Sequence, residues 1–191
     1  RYFPLVGLLV GAIGAGVTEL AALVLPISVA VILGMLATVR ATGAFHEDGF
    51  ADSCDGFGGG WQKAQVLMIM KDSRIGSYGT IGMALLLLLK WNALMEVDAA
   101  YLGPFLALSL VAGHGVSRLA STALIYTLDY VRDDDSSKSK PLARRMRPGE
   151  LGFAAITALL PCAGLPVPAV LVALVLVGIA TWLAARYFVR R

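Results

Sequence analysis

Long apolar runs separated by short polar segments dominate the chain. Six of these runs predict membrane-spanning helices, because roughly 20 mainly apolar residues cross a bilayer as a helix. The predicted helices cover Pro4–Leu25, Ile27–Phe45, Tyr78–Val97, Leu102–Tyr126, Leu151–Leu165 and Val167–Phe188. Prolines at the first and last junctions predict tight hairpins, since proline ends one helix and starts the next. The expected fold is an all-α polytopic membrane protein.

The composition agrees with a bilayer environment. Of the 191 residues, 58% are hydrophobic and only 15% are charged, and 21 more are glycine. Soluble domains contain about 45–50% apolar residues with glycine included, so a soluble globule is excluded. The net charge of +3 does not indicate nucleic-acid binding. Basic residues are expected to be in excess in the cytoplasmic loops of membrane proteins.

The basic residues also predict an orientation. With Arg1 on the cytoplasmic side, the six-span path places every Lys and Arg on that side except Lys90 and Arg118, which fall within spans. This arrangement satisfies the positive-inside rule and predicts cytoplasmic termini. An amphipathic piece at Gln62–Met70 predicts a short interfacial helix. The whole chain, 1–191, is expected to form one transmembrane catalytic domain.

An acidic segment follows the second apolar run. If that helix continues out of the bilayer, Asp48, Asp52 and Asp55 stand at i, i+4 and i+7 and share one face. Three carboxylates near a helix C-terminus repel one another and oppose the helix dipole, so a cation is expected there. Carboxylate oxygens without a Cys/His cluster favour Mg²⁺, or Mn²⁺ as a substitute. The alternative is a solvated helix end.

A basic segment precedes the third predicted span. Lys71 and Arg74 suit binding of phosphate oxygens, and Asp72 suits either a fourth metal ligand or a residue that orients Arg74. Interfacial anchoring of the two basic side chains is the alternative. Arg118 follows Ser117 inside the fourth span. An Arg at this depth costs about 2.5–3.5 kcal/mol on insertion scales, so we expect it to face a polar site.

Two polar stretches carry a recognisable pattern. They read Phe45-His46-x-Asp48-Gly49-x-Ala51-Asp52-x-Cys54-Asp55-Gly56 and Met70-Lys71-Asp72-Ser73-Arg74-Ile75-Gly76. Together they resemble the signature of the cobalamin synthase family, the adenosylcobinamide-GDP ribazoletransferases. The resemblance extends to Tyr2–Gly7, Lys90 and Ser117-Arg118, and so covers nearly the whole chain.

The resemblance implies a transferase of cobalamin biosynthesis that requires Mg²⁺. Such an enzyme transfers the adenosylcobinamide-phosphate moiety of adenosylcobinamide-GDP to α-ribazole, or to its 5'-phosphate, and releases GMP. By analogy, metal ligation and catalysis would fall to Asp48, Asp52, Asp55 and Asp72, and binding of the substrate phosphates to Lys71, Arg74, Ser117 and Arg118. Further family segments are expected before Arg1 and, in the form Gly-Gly-x-Thr-Gly-Asp, after Arg191.

Other functions are weighed against this one. The acidic motif partly resembles that of the CDP-alcohol phosphotransferases, but Ile75 and Gly76 stand where that family needs a second downstream aspartate. A transporter or channel is a less favoured alternative, because the acids cluster at one face instead of the midplane. The expected location is the cytoplasmic membrane of a bacterium or archaeon, with the active site facing the cytoplasm. Whether the protein forms a homo-oligomer is left open.

Overall fold

The computed structural model describes residues 1–101, 105–128 and 146–190, and all regular structure in these ranges is helical. The all-α prediction is thereby confirmed. The helices are α1 Phe3–Ala22, α2 Ile27–Thr42, α3 Phe45–Gly59, α4 Lys63–Ile69, α5 Ser77–Tyr101, α6 Phe105–Thr127, α7 Pro148–Leu159 and α8 Val167–Arg190, with a 3-10 turn at Leu160–Gly164.

In the part of the chain that the structure describes, four helices are long and apolar enough to cross a membrane: α1, α5, α6 and α8. A fifth span results if the bent pair of α2 and α3 counts as one. The predicted six spans are not confirmed, because α2 has 16 residues and α7 only 12. Many large apolar side chains of α8 are exposed and none of its residues is buried. This exterior suits lipid contact.

The predicted boundaries differ in detail from the observed ones. The third predicted span, Tyr78–Val97, is α5 in the structure and extends to Tyr101. The predicted span at Leu151–Leu165 is α7 followed by the 3-10 turn. The predicted interfacial piece at Gln62–Met70 contains the short helix α4, and its interfacial position stays a prediction. The start of the fourth predicted span at Leu102 lies outside the described residues, as do residues 129–145 between the fourth and fifth predicted spans.

The chain divides into two compact units. One comprises residues 1–12 and 107–188, and the other comprises residues 13–106 and 189–191. This division describes packing and not catalytic activity, so the single catalytic domain stays a prediction.

The second unit has an apolar core between α2 and α5. Val31 and Met35 of α2 are buried together with Leu106, and Leu87 and Trp91 of α5 pack against them. The indole Nε1 of Trp91 donates a hydrogen bond of 3.1 Å to the backbone oxygen of Ser28, which satisfies its polar group. These contacts hold α5, the support of the acidic helix, against α2.

Small residues bring α1 and α2 close together in the same unit. A Cβ atom on Gly34 would meet Thr18 Oγ1 and would lie 2.8 Å from the backbone oxygen of Gly14. The buried Thr18 hydroxyl donates to that same oxygen at 2.9 Å. Close backbone approach through small residues is typical of helix packing in membranes.

A sharp turn separates α2 from α3, although the sequence predicted one helix over this region. Gly43 and Ala44 both have positive φ, 62° and 58°. The Ala44 amide donates to the oxygen of Val39 at 2.9 Å, and the Gly43 amide donates to Arg40 at 3.3 Å. This pair of bonds is a Schellman ending, which glycine favours because it lacks a Cβ atom. The chain bends by 88°, and the acidic segment begins a new helix.

Candidate acidic site

The acidic segment forms its own helix, α3, over Phe45–Gly59. Glu47 and Asp48 lie in its first turn, where the helix dipole favours negative charge. The expectation that these acids lie near a helix C-terminus is therefore wrong for Asp48, because the new start at Phe45 reverses the sign of the dipole effect. The three aspartates do share one continuous helix, and helical spacing places them on one side of it.

The stripe of aspartates differs in exposure from one end to the other. Asp48 is exposed, whereas Asp52 and Asp55 are half-buried. Ala51 and Gly56, on the same helix, are buried. The N-terminal end of the stripe is accordingly open to an incoming ligand, while its C-terminal end is partly covered by neighbouring helices.

Asp55 binds the N-terminus of α5. One of its carboxylate oxygens accepts a hydrogen bond of 2.7 Å from the Gly76 amide, and the other accepts one of 2.8 Å from the Gly79 amide. Amides at the start of a helix lack partners within the helix, and a carboxylate satisfies them while also interacting favourably with the dipole. Asp55 thus joins α3 to α5.

Glycines allow close packing at the Asp55 contact and at the nearby contact between α3 and Met70. A Cβ atom on either Gly76 or Gly79 would meet the Asp55 carboxylate, and one on Gly56 would lie 2.6 Å from Met70 Cγ. Gly56 therefore allows the segment at Met70 to approach α3 closely. A Cβ atom on Gly49 would meet nothing within 4 Å, so that position remains open.

Asp72 and Arg74 form a bidentate pair before α5. The Arg74 Nη2 donates to Asp72 at 2.7 Å, and its Nε donates to the second oxygen at 3.1 Å. These hydrogen bonds lower the pKa of Asp72 below its ordinary value of 3.8. The Arg74 side chain is 88% exposed. Both oxygens of Asp72 contact Arg74, the arrangement expected of an orienting residue.

The described chain does not assemble the predicted four-aspartate cage. Within residues 1–101, 105–128 and 146–190, no three His, Cys, Asp or Glu side chains form a group that could hold a metal ion. Asp55 and Asp72 have the partners given above. Asp48 and Asp52 stand one helical turn apart. Mg²⁺ is commonly bound through one or two carboxylates together with substrate phosphates, so this pair suits a metal shared with a diphosphate.

Arg118 belongs to the other unit and is only 2% exposed. Its Nη1 donates to the backbone oxygen of His114 at 3.1 Å and lies 3.1 Å from His114 Nδ1. The guanidinium carbon lies 5.7 Å from the centre of the Phe3 ring. A Cβ atom on Gly7 would be 2.7 Å from Arg118 Cδ, so this glycine makes room for the arginine.

Ser117 has a different environment from its neighbour. Its side chain is exposed and donates a hydrogen bond of 3.2 Å to the backbone oxygen of His114. Consecutive helical residues point about 100° apart, which separates the exposed serine from the buried arginine. Their shared role in phosphate binding stays a prediction.

Sequence reasoning missed the role of the α5 glycines. Glycines recur every three residues at Gly76, Gly79 and Gly82. Cβ atoms on the first two would meet Asp55, and a Cβ atom on the third would meet Cys54 Sγ. Residues three apart lie near one face of a helix, so this repeat was a readable signal of close helix packing. The Schellman ending at Gly43 was a second missed signal.

Comparison with known proteins identifies the family. The family model described as cobalamin-5-phosphate synthase matches residues 1–191. The chain is 56% identical over 152 residues to a protein of Shewanella frigidimarina named adenosylcobinamide-GDP ribazoletransferase; the match covers 79% of this chain and 58% of that protein. A Shewanella amazonensis protein of the same name is 48% identical over 188 residues, covering 98% of this chain and 72% of that protein.

The chain belongs to the cobalamin-5-phosphate synthase family. It spans less than two thirds of the length of the Shewanella frigidimarina protein and of a Shewanella woodyi protein with the same name, which is 50% identical with 65% of its length covered. No solved structure matches the chain.

Proposed function

We propose that this chain carries the catalytic core of a Mg²⁺-dependent phosphotransferase. It transfers the adenosylcobinamide-phosphate moiety of adenosylcobinamide-GDP to α-ribazole, or to its 5'-phosphate, and releases GMP. The observation that carries the proposal is the match of the family model over the whole chain. The names of the relatives supply the substrate.

The acidic helix supports this chemistry. Asp48 and Asp52 would hold Mg²⁺ where the substrate diphosphate binds, and a metal there would neutralise the charge that develops as GMP leaves. Phosphoryl transfer depends mainly on the positions of the reactants and on electrostatic stabilisation. The exposed Asp48 and the half-buried Asp52 provide a negatively charged edge accessible to such a substrate.

Basic side chains would complete the site. Lys71 and the Asp72-oriented Arg74 are exposed in the segment that Asp55 and Gly76 anchor beside α3. An oriented guanidinium can bind phosphate oxygens through two parallel hydrogen bonds. The sequence also predicts phosphate binding by Ser117 and Arg118 of the other unit, and this part of the assignment rests on the sequence alone.

The orientation in the membrane is part of the proposal. Lys63, Lys71 and Arg74 all lie in the segment after α3, and basic residues favour the cytoplasmic face. The site would therefore face the cytoplasm. Six spans would cross a bacterial or archaeal inner membrane, with both termini on the cytoplasmic side. Nucleotide-linked substrates are then supplied from the cytoplasm.

The test replaces Asp52 with Asn in the full-length protein in detergent. GMP release from adenosylcobinamide-GDP is measured with α-ribazole and with its 5'-phosphate as acceptors. We expect a loss of about 10²–10³ in rate, the scale seen when one charge-stabilising group is removed from an active site. Asp98→Asn, the same change near the far end of α5, should retain the rate. Unaltered GMP release by Asp52→Asn would remove this residue from the site.

The same preparation discriminates the other function classes. Supplying CDP-diacylglycerol and an alcohol, with CMP as the readout, tests the lipid head-group activity. Solute or ion flux into sealed proteoliposomes tests the transporter. GMP release without CMP release or flux is the expected result, and either of the other products without GMP would replace the proposal.

A further inference from the structure

We propose that Asp55 is a positioning residue that fixes the basic segment Lys71–Arg74 against the acidic helix, and that it does not ligate the metal. The inference deepens the proposed function, because it assigns different roles to members of one aspartate stripe. Its structural part stands independently of the reaction, since it concerns a contact between α3 and α5.

The first observation is how the Asp55 carboxylate is used. Both oxygens accept hydrogen bonds from backbone amides, at 2.7 Å from Gly76 and 2.8 Å from Gly79. Gly76 directly precedes α5 and Gly79 lies in its first turn, where the helix dipole carries partial positive charge. The Asp55 carboxylate therefore already has a positive environment without a metal ion.

The second observation is that the receiving helix is shaped for this carboxylate. Cβ atoms on Gly76 and Gly79 would both meet Asp55, and one on Gly79 would also lie 3.0 Å from the backbone oxygen of Ala51. Gly79 is buried. Two glycines at i and i+3 thus leave a recess that the Asp55 side chain of α3 occupies.

The third observation is the placement of the basic segment. One end follows Met70, whose Cγ would lie 2.6 Å from a Cβ atom on Gly56 of α3. The other end reaches Gly76, bound by Asp55. Both ends of the loop that carries Lys71 and Arg74 therefore rest on α3, and Asp55 provides the hydrogen-bonded anchor. Loss of this anchor would free the basic side chains relative to Asp48 and Asp52.

The structural test is hydrogen exchange of the α5 N-terminus in the full-length protein in detergent. We expect the Gly76 and Gly79 amides to exchange at least tenfold faster in Asp55→Asn, because an amide side chain offers one acceptor oxygen instead of two and carries no charge. Asp52→Asn should leave their exchange unchanged. Equal exchange in the wild type and Asp55→Asn overturns the inference.

The kinetic test separates positioning from metal ligation. For Asp55→Asn we expect kcat for GMP release to fall about tenfold and KM for adenosylcobinamide-GDP to rise. The Mg²⁺ concentration that gives half-maximal rate should stay within twofold of the wild type. A tenfold or larger increase in that concentration would identify Asp55 as a metal ligand.

A second variant keeps the test decisive if Asp55→Asn does not fold. Gly79→Ala displaces the Asp55 carboxylate without removing any acid, so it should reproduce the faster exchange and the raised KM. Gly49→Ala is the matched control, because its Cβ atom would meet nothing within 4 Å. Wild-type behaviour of Gly79→Ala would contradict the inference. Absence of GMP release by the wild type would overturn the proposed function alone, while the exchange comparison would still decide the role of Asp55.

Discussion

Two arginines predicted to bind phosphate have opposite environments. Arg74 lies in the loop before α5, is 88% exposed at its side chain and is held by the carboxylate of Asp72. Arg118 lies within α6, is 2% exposed and donates to the backbone oxygen of His114. The first is a solvated charge with an acidic partner. The second is packed among a glycine, an aromatic ring and a histidine.

The difference shows that one residue type serves two physical purposes here. An exposed ion pair contributes little to stability because water and salt screen it. The Arg74 guanidinium can therefore remain oriented by Asp72 while its exposed side binds a phosphate. A buried arginine takes part in packing as well as in hydrogen bonding. Its removal therefore changes the helix bundle itself, and the two sites should respond differently to the same substitution.

The largest expected effect is from Arg118→Ala. We expect the free energy of unfolding to fall by about 2–4 kcal/mol, because truncation leaves a cavity and removes the donor to the His114 oxygen. Arg74→Ala should change it by less than about 0.5 kcal/mol. Denaturant unfolding in detergent, followed by circular dichroism, measures both. Similar losses of unfolding free energy in the two variants would contradict the distinction between a packed Arg118 and a solvated Arg74.

An intermediate effect is expected from Gly7→Ala. The new methyl group would meet the backbone oxygen of His114 and lie 2.7 Å from Arg118 Cδ. Overpacking of this kind costs about 1–3 kcal/mol. Gly113→Ala, on the exposed side of α6, has nothing within 4 Å of the added atom and serves as the control. The same unfolding measurement applies, and equal stability of the two variants would argue against close packing around Arg118.

The smallest effect concerns pH. The hydrogen bonds from Arg74 lower the pKa of Asp72 in the folded protein. A lowered carboxyl pKa stabilises the fold above the ordinary value of 3.8, and this contribution disappears as the pH falls through the lowered pKa. In Arg74→Gln, the Asp72 pKa should rise towards 3.8, as measured by carbon NMR of the labelled carboxyl group. An unchanged titration would show that the pair does not form in solution.

Much of the fold could be predicted from the sequence, because apolar periodicity is a local property. The all-α class and the helical spacing of Asp48, Asp52 and Asp55 followed from runs of residues that are neighbours in sequence. The role of each aspartate could not be predicted from the sequence, because the same spacing also occurs in a helix that packs on another helix. The contact of Asp55 with Gly76 and Gly79 depends on residues more than 20 positions away in the sequence.

The linear order of residues was sufficient to establish a membrane-embedded helical chain with an acidic and a basic motif, since hydropathy, helical spacing and residue chemistry are each encoded over short stretches. The assignment of partners required the folded molecule. The turn at Gly43 made the acidic segment a separate helix, and the packing of α3 on α5 brought Asp55 to Gly76 and Gly79. Such contacts depend on how distant helices approach, which local propensity does not specify.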